Sequence, residues 1–525
     1  MISRANDEVM NRQITLVLFL FAAIGVVVLL VATRFGIGIS PDSVTYIDAA
    51  RNLSHGDGLS ALSAAGELKP LSHYPPLYSS LLALIGAGGA ELPGAARWLN
   101  AILFGAIIFL TGFMTRKCAR ASLWLPLLVS CLTLTAPDFA GLHSFALTEP
   151  LFIFLTMTGL LCLAMYVENQ QHRFLIASSL TIALAFLTRY VGVVSVFAGV
   201  IALAVFSDRI IRRRLIDVLV FGAITCAPMA LWAIRNQRLA EHATDRQLVF
   251  HPVKLQQLVA GLSTVSSWLL VGKVRGSVRI VVFLIEVVAA LAFVIYLWGK
   301  GERTQNDSRG DATTPLPHIV VVFVVCYVAF LIFTAYFIDA DTVFDNRSLA
   351  PIHVAMLVLL PCLVRKLYLR SKRTRTIRIV FLALALIFAG SYAVRGVKWL
   401  ARVRGQGQGY ASRAWRESPT IARIKTLPAE TIIYSNGYDA IYYVTDRRAR
   451  LIPEKVIHGT GRPNAMYGPE MARMKIDLLR RQGVLVYFYT LPERQSLPSE
   501  IELQETLNLR PIAKSNDGTI SVVNR

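Results

Sequence analysis

The sequence predicts an α-helical membrane protein of many spans, closed by a small soluble α/β unit. Three observations predict it. Hydrophobic residues make up 54% of the 525 positions, and the mean hydropathy is +0.52. Apolar runs able to cross a bilayer, which takes about 20 residues each, recur along the chain. Lysine and arginine collect in short segments between alternate runs, a topology signal. In a soluble protein a net charge of +21 would first suggest nucleic-acid binding. Here the charge follows the spans and no RNP-like or zinc-finger pattern accompanies it, so nucleic acid is not an expected partner.

The spans are read near 13–35, 95–114, 122–137, 150–167, 174–188, 190–206, 215–233, 279–298, 317–337, 350–364 and 379–395, about 11 transmembrane helices in all. The first apolar run follows Arg4 and Arg12. It is longer than a signal-peptide core and lacks a small-residue cleavage site, so it reads as a retained span. With the N-terminus in the cytoplasm, several basic segments fall inside: Arg116-Lys117 with Arg120, Arg173, Arg209 with Arg212–Arg214, Lys300 with Arg303, and the dense run from Arg365 to Arg378. Each such charge near an anionic leaflet contributes on the order of 1 kcal/mol, which fixes the orientation. Residues 76–90 are apolar but short, opened by two prolines and interrupted by glycines. A surface-lying or re-entrant helix fits them, since a span there would put the densest basic segment outside. Residues 1–395 then form the membrane domain, with 36–94 as its first outward loop, and 396–525 the soluble extracytoplasmic unit. In that unit Thr431–Tyr434 and Val484–Tyr489 read as strands, and Asp439–Tyr443 and Met466–Gln482 as helices. The predicted location is the plasma (inner) membrane, multi-pass, with the working side outside.

Six cysteines lie within or beside spans. No CxxC or Cys/His cluster accompanies them, so neither a disulfide framework nor a zinc site is indicated.

The first outward loop carries the chemistry. It reads Ile39-Ser40-Pro41-Asp42-Ser43-Val44-Thr45-Tyr46, then a Gly56-Asp57-Gly58 turn, then His73-Tyr74-Pro75-Pro76-Leu77-Tyr78. Carboxylates, a short amphipathic helix and a Pro-Pro segment at the bilayer surface suit a lipid-linked substrate better than a plain connector. Sugar transfer from such a carrier needs a base at the acceptor hydroxyl and a counter-charge for the departing phosphate. Asp42 is the candidate base; its bland alternative is a helix cap. Asp48 reads as helix surface. Glu149, in Thr148-Glu149-Pro150-Leu151, is a second acid where a span begins, with a plain first-turn glutamate as the alternative. Arg189, Arg235 and Arg347 lie at outward span ends against the usual bias, and their forked guanidinium suits phosphate. Snorkelling to headgroups is the rival reading. Lys69 and His73 flank the Pro-Pro helix and can also reach a carrier, with Tyr46, Tyr74, Pro75, Pro76 and Tyr78 shaping the substrate loop. Asp339-Ala340-Asp341 is formally a DxD, a pattern common by chance. Glu286 falls inside a span, where it would be protonated or paired through His318 or Tyr327.

This ordered set of loops resembles GT-C glycosyltransferases, specifically the branch of protein O-mannosyltransferases and the aminoarabinose transferase of lipid A. The likeness runs through residues 15–395 and is densest in 36–80 and 146–152. It implies a GT-C fold and an inverting transfer of a sugar from a polyprenyl-phosphate carrier to a hydroxyl of a glycan, lipid or protein acceptor. It also implies that Asp42 and Glu149 are the catalytic acids, and it favours Arg235 and Arg347 as phosphate ligands. In the aminoarabinose branch a lysine directly precedes the proline; Tyr74 stands there in this chain, so that phosphate contact does not carry over. No cofactor is required by the resemblance, although some GT-C enzymes use a divalent metal with two acids. The rival class is a lipid or polysaccharide transporter without glycosyl transfer, which should show two related halves; no such repeat is visible.

Overall fold

The computed structural model describes residues 2–524 apart from 120, 121, 123, 270–274, 286, 287, 289–313, 371–373, 458, 481, 482, 493 and 495. Glu286, much of the 279–298 run, and the basic residues Arg120, Lys300, Arg303, Lys372 and Arg373 lie outside the described residues.

Six described helices are long and apolar enough to cross a membrane. They are Arg12–Ala32 within α1 (Ile2–Ala32), α4 (Leu92–Cys118), α7 (Glu149–Asn169), α10 (Ile211–Ala240), α13 (Leu316–Phe337), and Phe381–Gln406 within α15 (Thr374–Gln406). The run predicted as one span at 122–137 is instead two helices, α5 (Trp124–Thr135) and α6 (Pro137–His143), bent by 59°. Proline has no N–H to continue a helix but suits its first position, so Pro137 ends one helix and opens the next. Shorter apolar helices stand at the other predicted runs: α8 (His172–Thr188), α9 (Val193–Phe206), α12 (Gly276–Ile285) and the first part of α14 (Ala350–Arg370). The core forms where α4 packs against α1, α5 and α7, and α7 against α8.

The loop between α1 and α4 folds into α2 (Pro41–His55), a hairpin of β1 (Ser60–Leu62) and β2 (Leu68–Pro70), and the short α3 (Leu77–Ala87). Residues 76–90 thus contain an 11-residue helix, too short to cross. Asp48 departs from its reading as helix surface. Its carboxylate is buried and accepts from the Leu62 amide at 2.7 Å and from the Tyr442 hydroxyl at 2.6 Å.

The last apolar helix runs on to Gln406, past the boundary expected at 395, and a C-terminal unit built on a sheet follows it. Its five-stranded sheet has the order β4 (Arg450–Leu451), β3 (Ile433–Ser435), β5 (Val484–Phe488), β7 (Gly518–Val523), β6 (Leu509–Lys514). β3 is parallel to β4 and β5, while β7 is antiparallel to β5 and β6. Helices α18 (Tyr438–Thr445) and α19 (Tyr467–Arg480) lie at the two predicted helical segments.

Three chain segments meet between the membrane helices and the sheet. Gly38 pairs in parallel with Phe145, and Ile39 with Gly409. The Gly38 amide donates to Ser144 at 2.7 Å, Ala146 to Gly38 at 2.9 Å, and Tyr410 to Ile39 at 2.9 Å. Gly409 has φ +55°, and a Cβ there would lie 2.0 Å from the Ile39 carbonyl oxygen, so only glycine fits this crossing.

Candidate active site

Two helices start from that ladder. α2 begins at Pro41 and α7 at Glu149, so Asp42 and Glu149 both sit in the first turn of a helix, where the exposed amides and the dipole favour a carboxylate. Asp42 is not the cap. Ser40 takes that role: its hydroxyl accepts from the Ser43 amide at 3.3 Å while the Ser43 hydroxyl accepts from the Ser40 amide at 3.0 Å. The Asp42 carboxylate is therefore left for other partners.

Those partners are Tyr74 and Arg347. The Tyr74 hydroxyl donates to Asp42 Oδ1 at 2.6 Å, and Arg347 Nη2 lies 2.5 Å from Asp42 Oδ2. The same guanidinium donates through Nε to Glu149 Oε1. Arg189 Nη1 meets that Glu149 oxygen at 2.5 Å and donates to the Thr148 hydroxyl at 2.9 Å. Two carboxylates and two guanidiniums thus form one chain, Asp42–Arg347–Glu149–Arg189. The Glu149 side chain is 2% exposed and that of Asp42 24%, so Asp42 is the acid a substrate can reach. Burial raises the proton affinity of Asp42, but the Arg347 charge, the Tyr74 hydroxyl and Arg189 outweigh it and hold the carboxyl below the ordinary aspartate value. Burial, then the neighbouring Asp42 charge, push Tyr74 well above an ordinary phenol, so it stays a donor.

Local turns aim these groups. Asp345 Oδ1 accepts from the amides of Arg347 at 3.1 Å and Ser348 at 2.9 Å, an Asx-type turn that presents Arg347. Asn100, buried in α4, donates to the Phe145 carbonyl at 2.5 Å and to that of His143 at 3.3 Å, fixing the segment before Glu149. Tyr46 and Tyr78 are buried, and Tyr74 and Tyr78 each pack edge-to-face on Tyr46, with ring centroids 4.8 and 5.5 Å away. Pro75 is buried beside them and Pro76 precedes α3.

The other expected phosphate ligands are elsewhere. Arg235 clamps the first loop: its Nη1 donates to the Leu71 carbonyl at 2.8 Å and its Nη2 to that of Leu59 at 2.9 Å. Trp232 lies under its guanidinium at 4.6 Å. Tyr190 extends the clamp, donating to Ser72 O at 2.7 Å and accepting from Trp232 at 3.3 Å. His73 pairs with Asp245 at 3.5 Å, and Lys69 is exposed on the hairpin opposite Ala61.

The DxD is also occupied. Asp339 pairs with Arg246 at 3.3 Å, and Asp341 accepts from the Gly459 amide at 3.2 Å. Among the described residues no group of three or more His, Cys, Asp or Glu could hold a metal ion. Asp42 and Glu149 are bridged by a guanidinium, a donor set that does not fit a divalent cation. Tyr327, considered as a partner for Glu286, donates to the Ser348 carbonyl at 3.0 Å.

Asp138, after Pro137 and read from the sequence as a weaker neighbour of Glu149, lies beside Arg395 at 3.7 Å and Asn346 at 3.1 Å, while sequence reasoning missed Asp345, Asn100 and Tyr190. Only Asp345 carried a local signal, an aspartate two residues before the arginine it presents.

Residues 46–235 match the family model for dolichyl-phosphate-mannose-protein mannosyltransferase, a stretch that includes Glu149, Arg189 and Arg235 and begins just after Asp42. The whole chain superposes on the crystal structure of ArnT from Cupriavidus metallidurans in the apo state. The TM-score is 0.51 at 14% identity, over 96% of this chain and 97% of that one. This is a GT-C fold. The GT-C fold is also shared with the arabinofuranosyltransferase AftD from Mycobacteria, at TM-score 0.52 and 12% identity, over 97% of this chain and 40% of that one. No curated protein matches the sequence. With the fold comes the multi-pass membrane character that the apolar runs predicted.

Proposed function

We propose that the protein is an inverting glycosyltransferase that moves a sugar from a polyprenyl-phosphate carrier to an acceptor hydroxyl on the outer face of the membrane. One observation carries the reading: Asp42, free of any capping role, is the accessible acid of a carboxylate–guanidinium chain at the surface end of the spans. The match to a family whose description names a dolichyl-phosphate-mannose donor supports the carrier, and the fold shared with an arabinofuranosyltransferase supports sugar transfer.

In this mechanism the acceptor oxygen attacks the anomeric carbon while its proton passes to Asp42. The bond from that carbon to the phosphate oxygen breaks, and the carrier phosphate leaves with the electron pair. Asp42 is ionised at neutral pH but weakly basic while Arg347 holds it. A donor phosphate that draws the guanidinium toward itself raises Asp42's proton affinity where a base is needed. Glu149 works through Arg189 and Arg347 and positions them. The acceptor is a glycan, a lipid or a protein. The basic inner segments support a cytoplasmic N-terminus and an extracytoplasmic C-terminal unit in the plasma membrane.

The test is transfer by purified protein from a panel of polyprenyl-phosphate sugars. Asp42→Asn should lower the rate by about 10²–10⁴-fold with an unchanged melting temperature. Full transfer by that variant would remove the base.

A further inference from the structure

The proposed reaction releases a phosphate, yet the Asp42–Arg347–Glu149–Arg189 chain pairs two carboxylates with two guanidiniums and has no charge to spare. Arg235 is turned to backbone carbonyls, and His73 faces Asp245. Positive charge is nevertheless available on the other side of Arg347. A cavity of about 820 Å³ opens there, and Arg347, Arg395, Lys398 and Arg402 line it against Asp138 and Asp345. Asp345 is tied into its own turn, and Asp138 lies 3.7 Å from Arg395. Lys398 and Arg402 make no ion pair or hydrogen bond among the described residues, so their charge is available to a ligand.

The three cations of α15 recur at spacings of three and four residues and so share one face of the helix. The neighbouring positions Val394 and Val397 are exposed apolar side chains, as are Leu382 and Leu386 further down the same span. The cations thus stand at one end of a helix whose preceding turns expose apolar side chains, an order along the axis that suits an anion carried on a hydrocarbon chain. Trp399, buried, adds an apolar wall to the same cavity.

We infer that this cavity is the binding subsite for the carrier phosphate, with Lys398 and Arg402 as its free ligands and Arg347 as the link to Asp42. The inference deepens the glycosyltransferase reading and rests on it for the identity of the ligand, while the residues are assigned by the cavity itself. It moves the phosphate from the hairpin side, where Lys69 and His73 stand, to the last span. A phosphate here draws on Arg347 from the side away from Tyr74, leaving Asp42 to the acceptor.

The experiment measures binding of sugar-free polyprenyl phosphate to the full-length protein in phosphatidylcholine nanodiscs, with uncharged polyprenol as the control ligand. Lys398→Ala combined with Arg402→Ala should weaken phosphate binding about tenfold or more and leave polyprenol binding unchanged. Lys398→Arg with Arg402→Lys should restore most of the affinity, a rescue that a packing defect would not give. Wild-type affinity in the double alanine variant, or a comparable loss only in Lys69→Ala with His73→Gln, would overturn the assignment. Inorganic phosphate that competes fully at millimolar concentration, with no advantage for the lipid form, would also overturn it. The two readings fail separately. Cavity-dependent phosphate binding without transfer from any donor keeps the site and removes the enzyme, whereas transfer with unchanged affinity in the double variant does the reverse.

Discussion

Arg235, near the end of α10, and Arg347, just before α14, are the same residue type, and they do opposite work. Arg235 faces three neutral oxygens, those of Leu59, Leu71 and Asn236, and holds a loop in shape. Arg347 faces two carboxylates and holds a charge balance. The difference lies in what each is opposed to. Neutral carbonyls absorb a guanidinium without changing any proton affinity, whereas carboxylates tie its position to their own protonation. An arginine at a helix end of a membrane protein is therefore a scaffold or a switch according to its partners.

The largest effect that would break this contrast is at Arg347. Arg347→Gln should lower transfer by about 10²–10³-fold, the scale of losing a preorganised charge at a reacting centre. Lysine should recover little, because one ammonium cannot bridge both carboxylates. Near-normal turnover in Arg347→Gln would reduce it to a second Arg235. The next effect is on stability. Arg235→Ala removes hydrogen bonds to Leu59 and Leu71 and should destabilise the loop by about 2 kcal/mol, read as a lower melting temperature and faster proteolysis between residues 56 and 73. Its cost in transfer should appear in KM more than in kcat, and a kcat loss as large as that of Arg347→Gln would erase the distinction. The smallest effect sharpens the electrostatics. Asp42 is held below the ordinary aspartate value partly by the Tyr74 hydroxyl, so its ionised form persists to low pH. Tyr74→Phe removes that donor, raises the Asp42 value, and should move the acidic limb of the kcat/KM profile upward, with activity lost earlier as the pH falls. An unmoved or lowered limb would mean the profile reports another group.

What the sequence made legible was composition, periodicity and side. Asp42, Glu149, Arg189 and Arg347 were each found as a charge at the outward end of a span, a local property. The helices at 41–55, 438–445 and 467–480 were likewise announced by local pattern. Partner choice was not local. Asp48 looked like helix surface because the Tyr442 that buries it is 394 residues away. Arg235 looked like a phosphate ligand because the carbonyls it clamps belong to a hairpin whose position no residue in α10 encodes. The break at Pro137 was visible as a residue, but its meaning as a 59° bend depends on packing against α4 and α15. The cavity cations on α15 were not singled out for the same reason: the carboxylates and loops that complete the cavity come from distant parts of the chain.

The crossing of Gly409 over Ile39 has a consequence for how the protein is made. Asp42 emerges from the ribosome early, yet the backbone three residues before it gains its last hydrogen-bonded neighbour only when Tyr410 has been synthesised and the final span threaded into the bilayer. A nascent chain halted before that point would carry Asp42, Glu149, Arg189 and Arg347 without the strap that sets the angle of α2. Completion of the Asp42–Arg347–Glu149–Arg189 cluster is therefore a late event of biogenesis, and a premature stop shortly before residue 409 would leave an inserted chain with that cluster unfinished.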